Sequence, residues 1–130
     1  MSIKVVMVEP GKFARITTIE NDLDSLQKAV DGNIQAIYPF EDEVALVCNE
    51  EGKCMKLPTN RALYMDSEMV DIVCGKFFIC GAPATSENFE SLSEKQIQTY
   101  MDMFKQPQRF YKVGDSLTAV SYNPKDKDSR

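Results

Sequence analysis

The chain of 130 residues contains no histidine. That absence removes histidine-based catalytic triads, histidine metal sites and the commonest general base in one stroke. Glycine is scarce, with six in all. Gly11, Gly75 and Gly81 stand isolated, so neither a Walker loop nor a dinucleotide fingerprint can be assembled. No apolar run approaches the roughly 18 residues needed to span a bilayer. The N-terminal run Ser2-Ile3-Lys4-Val5-Val6-Met7-Val8 is too short and too plainly flanked for a signal peptide. A cytoplasmic protein without a membrane partner is the expectation.

Basic charge is also in deficit. Fifteen Lys and Arg face twenty Asp and Glu, for a net charge of −5, which argues against a protein that binds nucleic acid by neutralising phosphates. The acids do not form the long blocks of a dedicated nucleic-acid mimic. They gather as Glu41-Asp42-Glu43 and Glu50-Glu51, which read either as turn acids or as patches facing a basic partner.

Four cysteines are present, and in a reducing compartment they default to thiols. Cys48 with Cys54 and Cys74 with Cys80 repeat at one interval, too wide for the close knuckles of a structural zinc site. In a hairpin Cys48 and Cys54 face each other, and in a regular strand Cys74 and Cys80 share one face. Buried thiols are expected, with no metal and no cofactor.

The hydrophobic fraction of 43% suffices for one core without metal or disulfide support. A single domain over residues 1–122 is expected, followed by a flexible charged tail over 123–130, where nothing apolar is available to bury.

Local patterning points to an α+β fold, mainly an antiparallel sheet of hairpins with two helices packed on it. Ile3 to Val8 and Phe13 to Ile19 read as a hairpin turned by Glu9-Pro10-Gly11-Lys12. Asn21 is placed to cap a helix with apolar positions Leu23, Leu26 and Val30, which Gly32 ends. Ile34 to Tyr38 and Val44 to Cys48 are strands, and the turn Asn49-Glu50-Glu51-Gly52 leads into a strand over Lys53 to Leu57.

A loop is expected from Pro58 to Met69, then one long strand from Val70 to Cys80, with Gly75 marking a bulge or a close backbone approach. Neighbours Phe77 and Phe78 must face opposite sides of that strand. Ser93 to Gln96 has capping-box spacing ahead of Ile97, Tyr100, Met101 and Phe104 on one helical face. Arg109 to Val113 and Leu117 to Tyr122 form a last hairpin around Gly114-Asp115.

Few residues invite a chemical reading. Glu41 with Glu43 is the densest carboxylate pair, either an acid–base pair or a solvated corner after Pro39. No enzyme class is supported, and a non-enzymatic protein is expected. Asn60-Arg61, behind Pro58 and beside Thr59, offers an amide and a guanidinium fork suited to phosphate. Tyr38, Phe40 and Tyr64 offer stacking faces. The plainer account has Asn60 capping a loop and Arg61 paired with an acid.

Val8-Glu9-Pro10-Gly11-Lys12, Leu26-Gln27, Tyr38-Pro39-Phe40-Glu41-Asp42, Val44 to Lys53, Leu57-Pro58 with Asn60-Arg61-Ala62-Leu63, Asp71-Ile72, and Gly75 with Phe77-Phe78-Ile79 together carry a resemblance. From Ile3 to Phe104 the chain resembles a small family of uncharacterised proteins carried by bacteriophages and mobile elements of Gram-positive bacteria. The resemblance implies a setting in which small non-enzymatic proteins blunt host defences, and it transfers no site residue.

Two readings follow. In one, the protein sequesters a nucleotide-type signalling molecule, with Asn60, Arg61, Tyr38, Phe40 and Thr59 around a pocket or at a homo-oligomer interface. In the other, Glu41, Asp42 and Glu43 form part of an acidic decoy that binds a host defence protein.

Overall fold

The computed structural model describes residues 1–53 and 55–124. The protein is α+β. Its main sheet is five-stranded and antiparallel throughout, built from β1 (Ser2–Val8), β2 (Arg15–Glu20), β3 (Ile34–Ile37), β4 (Val44–Asn49) and β7 (Phe77–Gly81). The strand order is β2-β1-β7-β4-β3. Two further antiparallel pairs stand outside it, β5 (Thr59–Met65) with β6 (Glu68–Cys74) and β8 (Gln108–Val113) with β9 (Ser116–Ser121).

The three central strands are apolar on both faces because both faces are covered. Alternation sends Ile3, Val5, Met7, Ala45, Val47, Phe78 and Cys80 to one side, where helix α1 (Leu23–Val30) lays Leu26 and Val30 on them. The opposite side takes Val6, Val8, Val44, Leu46, Cys48, Phe77 and Ile79. There Tyr100 and Phe104 of helix α2 (Glu94–Phe104) pack beside Leu63 of β5 and Val73 of β6. Phe77 and Phe78, adjacent and both fully buried, therefore sit under different layers.

Helix α2 begins with the expected capping box, in which Ser93 and Gln96 exchange side-chain and backbone bonds. Helix α1 departs from expectation at both ends. Its N-cap is Asp22, whose carboxylate accepts from the Ser25 N–H at 2.8 Å, and the left-handed residue that closes it is Asp31, with φ 63°. Asn21 instead donates to the Phe89 carbonyl at 2.9 Å. An Asp tolerates the left-handed region because its short polar chain bonds locally, so Gly32 is freed from that task.

The middle of the chain differs most. Among the described residues after β4, 50–53 and 55–56 are turns and not part of the strand expected over Lys53 to Leu57, and Lys56 has φ 57°. The expected loop from Pro58 to Met69 is the β5–β6 hairpin, closed by Asp66 and Ser67 with φ 52° and 68°. Both central residues of this two-residue turn are left-handed, which matches the twist of the strands although neither is Gly or Asn.

The expected long strand over Val70 to Cys80 is two strands in different sheets. Gly75, at φ 82°, turns the chain from β6 into β7, and a Cβ there would lie 2.7 Å from Leu57 Cδ1. Close approach is thus realised, without a bulge. Cys74 and Cys80 consequently do not share a strand face. The expected facing of Cys48 and Cys54 falls on residue 54, and most of the expected tail falls on 125–130, both outside the described residues.

Candidate functional site

Asn60 and Arg61 are each 1% exposed, and they lie on β5, not in a loop. Asn60 Nδ2 donates to the carbonyls of Val8 at 3.0 Å and Gly75 at 2.8 Å, stitching the end of β1 to the β6–β7 turn. Its Oδ1 accepts from Arg61 Nη1 at 2.8 Å. Arg61 Nε and Nη2 both donate to the Phe104 carbonyl, at 3.1 and 3.0 Å, and Nη2 reaches the Lys12 carbonyl at 2.7 Å.

Phe104 ends α2, and that helix has no basic residue of its own in the last turn. Arg61 supplies the missing cation and satisfies a carbonyl that helix geometry leaves open. Burial pulls its guanidinium down to about 10, which leaves it charged at neutral pH. The pair is a structural hub with its donors spent on protein carbonyls. The expectation that Asn60 and Arg61 hold a phosphate is corrected accordingly, as is the plainer one that Arg61 pairs with an acid.

The other residues expected around that pocket are dispersed. Phe40 packs its ring 5.0 Å from Tyr100 and 6.2 Å from Phe104, closing the core. Tyr38 is 64% exposed. Thr59 lines a groove of 530 Å³ between the β5–β6 hairpin and Leu117, with Lys53, Val70, Ile72 and Cys74. Lys53 is held there in an ion pair with Asp71. The structure does not bring Tyr38, Phe40, Thr59, Asn60 and Arg61 together around one cavity.

What it does bring together is carboxylate. Because the sheet is antiparallel, the start of β1, the end of β2, the start of β4 and the end of β7 share one rim. A chain of bonds runs along it: Asn21 to the Phe89 carbonyl, Glu90 N–H to the Gly81 carbonyl at 2.9 Å, Ala82 N–H to the Glu43 carbonyl at 2.8 Å, and Gln96 Nε2 to Asp42 Oδ1 at 3.1 Å. Glu20, Asp22 and Asp24 from the β2–α1 junction join Glu41, Asp42 and Glu43 from the β3–β4 loop. Glu87, Glu90 and Glu94 from the β7–α2 segment complete the set, and all of these residues are exposed.

Both helices point their N-termini at this rim, where Asp22 is an N-cap and Asp24 and Glu94 lie in the first turns, positions that a helix N-terminus favours for acids. Among the described residues the one ion pair on the rim joins the Met1 ammonium to Glu20 at 3.0 Å. The opposite end of the sheet pairs more of its acids, although Glu50 and Glu51, exposed after β4, have no ion pair among the described residues. There Glu9 takes Lys12 and Arg15, Asp71 takes Lys53, and Asp31 takes Lys76.

Several rim carboxyls are held ionised by their neighbours. The Ser2 hydroxyl and the Met1 ammonium draw Glu20 below the usual carboxylate range, and the Ser25 N–H does the same for Asp22. Partial burial works against ionisation at Asp42. It is outweighed by bonds from Gln96, from the Tyr100 hydroxyl at 2.9 Å and from the Glu43 N–H, so Asp42 also titrates low. Burial first, and then Asp42, push the Tyr100 hydroxyl in the opposite direction, keeping it a proton donor.

Asp42 therefore clamps α2 to the β3–β4 loop, while Glu41 and Glu43 on either side of it have no ion pair among the described residues. Glu41 and Glu43 line none of the grooves that the described residues form around Cys48, Thr59, Phe13, Arg15 or Asp24. Glu20, Asp22, Asp24, Glu87, Glu90 and Glu94 were missed as partners of Glu41 to Glu43. They come from segments far apart in sequence, and only the strand order joins them.

A profile described as a domain of unknown function, DUF3846, matches residues 3–105. The chain belongs to the DUF3846 family. No curated protein and no solved structure matches it. The DUF3846 match covers the five-stranded sheet, both helices and the β5–β6 hairpin, so the acidic rim and the Asn60–Arg61 hub both lie within it. The β8–β9 hairpin lies beyond it. No helix of the described residues is long and apolar enough to cross a membrane.

Proposed function

We propose that the protein is a non-enzymatic binding protein whose working surface is the acidic rim, and that it occupies a basic surface on a host defence protein. The observation that carries this reading is the segregation of charge. Acids from three separate segments converge on one end of the sheet with Lys4, Lys95 and the N-terminal ammonium as the cations there, whereas at the other end Glu9, Asp31 and Asp71 are each paired with a Lys or Arg and only Glu50 and Glu51 carry no ion pair among the described residues. Unpaired charge of one sign steers a partner of the other sign and sets salt-sensitive association. The setting, a phage or mobile element acting in the host cytoplasm, rests on the resemblance of the sequence.

Affinity capture from a Gram-positive host lysate, comparing the native chain with a Glu41→Lys, Glu43→Lys, Glu90→Lys variant, tests the reading. Proteins retained by the native chain at low salt should be lost from the variant and released by added salt. An identical set of captured proteins in both samples contradicts it.

The small-molecule reading has one observation in its favour, the 530 Å³ groove where Thr59 and Lys53 meet. It predicts retention of a cyclic nucleotide or ADP-ribose derivative that calorimetry detects and that Lys53→Glu abolishes. A native chain that binds neither class of compound removes it.

A further inference from the structure

Among the described residues, strand β9 is an open edge without the usual protection. Natural sheets blunt their edges with charge, proline, bulges or short length, because a row of free N–H and C=O groups is a template for another strand. The other edges carry such devices. β2 has Arg15 and Glu20 at its ends, β3 has four residues and stops before Pro39, β6 bears Glu68 and Asp71 and carries an extra residue, Val70, where its register against β5 shifts, and β8 bears Arg109 and Lys112. The free edge of β5 is engaged at Ala62, whose N–H donates to Gln108 Oε1 at 2.8 Å.

β9 reads Ser116-Leu117-Thr118-Ala119-Val120-Ser121, with no charge, no proline and no register shift against β8. Among the described residues no backbone bond joins it to anything but the β8 side of its own hairpin. Its hairpin is also under-covered. Tyr111, Val113, Leu117 and Val120 are each at least 47% exposed, and a two-stranded ribbon is marginal in water unless more strands or a packed face support it.

The register decides which groups are free. Val113 and Ser116 close a two-residue turn with Gly114 at φ 61°, so they form a mutually bonded pair, and such pairs alternate along the ladder. Ser116, Thr118 and Val120 therefore spend their backbone groups on β8. Leu117, Ala119 and Ser121 point theirs outward.

We propose that β9 is a homodimer interface, pairing antiparallel with β9 of a second copy about a two-fold axis through Ala119. This is the register in which every outward group finds a partner. Ala119 bonds its own counterpart and Leu117 bonds Ser121 of the second copy in both directions, each pair exchanging both N–H···O bonds. Thr118 then lies opposite Val120 of the second copy, a β-branched pairing suited to a sheet surface. The contact is isologous and closes at two chains, because it consumes both free edges. Absence of charge permits a copy to approach itself here without like-charge opposition.

Sedimentation and light scattering over a dilution series, on the full chain, read the result directly. The expected species has twice the 14.7 kDa chain mass and dissociates on dilution. Ala119→Pro deletes an outward N–H and leaves the β8 ladder intact, so it should give a monomer whose melting temperature does not depend on concentration. Ala119→Cys should form an intermolecular disulfide on mild oxidation at a rate that Val120→Cys does not match, since the axis places only residue 119 against itself.

A native chain that is monomeric at every concentration overturns the proposal. If a chain ending at residue 124 then dimerises, the edge belongs to the protein's own last residues. A dimer that Ala119→Pro leaves intact, with the variant folded by circular dichroism, also overturns it.

Discussion

Replacing Arg61 by Ala isolates the claim that this residue is scaffold. The substitution leaves the carbonyls of Phe104 and Lys12 and the Asn60 Oδ1 without their buried donor. Each orphaned buried acceptor costs about 1–3 kcal/mol. Water entering the vacated space recovers part of that, and relief of the desolvated guanidinium recovers more. The balance is a loss of roughly 4 kcal/mol, comparable with removing one member of a buried charged network.

For a chain of this size, with an unfolding entropy of about 2.1 cal/mol/K per residue, that loss lowers the melting temperature by roughly 15 °C. Arg61→Lys keeps the charge but loses the planar fork, reaches one carbonyl at a time, and should fall between Ala and the native residue. Differential scanning calorimetry with circular dichroism checks both. An Arg61→Ala protein melting within about 2 °C of the native chain, yet failing to retain a phosphate-bearing ligand that the native chain retains, refutes the reasoning and restores Arg61 as a binding residue.

Gly75→Ala places a side chain at φ 82° and against Leu57, so chemical denaturation should show a loss of about 2 kcal/mol or more. Asp42→Asn should destabilise the protein at neutral pH, with the gap closing in acid. The Asp42 carboxyl titrates below its ordinary 3.8 when folded, so its contribution is present above that value and disappears as pH falls through the lower, folded one; a gap that persists at low pH assigns the effect to shape alone. Cys80, buried and pushed up to about 12, and Cys48, pushed up mainly by burial, should resist a thiol reagent in the native state and react after unfolding. Rapid native labelling of either one, located by mass spectrometry, contradicts their burial.

The elements with strong period or punctuation were readable from residues alone. Continuous apolar runs marked β1 and β4, the Ser93–Gln96 box marked the start of α2, and Gly114-Asp115 marked the last hairpin. The β5–β6 hairpin was not readable, because Asp66 and Ser67 make a left-handed turn without glycine and because Asn60-Arg61 looks like a polar loop until their partners are known. Those partners are carbonyls at positions 8, 12, 75 and 104, which no local pattern announces. The candidate site divides the same way. Glu41 to Glu43 stood out as a cluster, but the rest of the rim depends on which strand ends the topology places side by side.

The most direct test of the acidic rim as the working surface is quantitative capture from host lysate, with the native chain, the Glu41→Lys, Glu43→Lys, Glu90→Lys variant and Arg61→Lys run in parallel. Salt-sensitive partners should be held by the native chain and by Arg61→Lys at a temperature where both are folded, and lost from the rim variant. Equal capture by the native chain and the rim variant contradicts it.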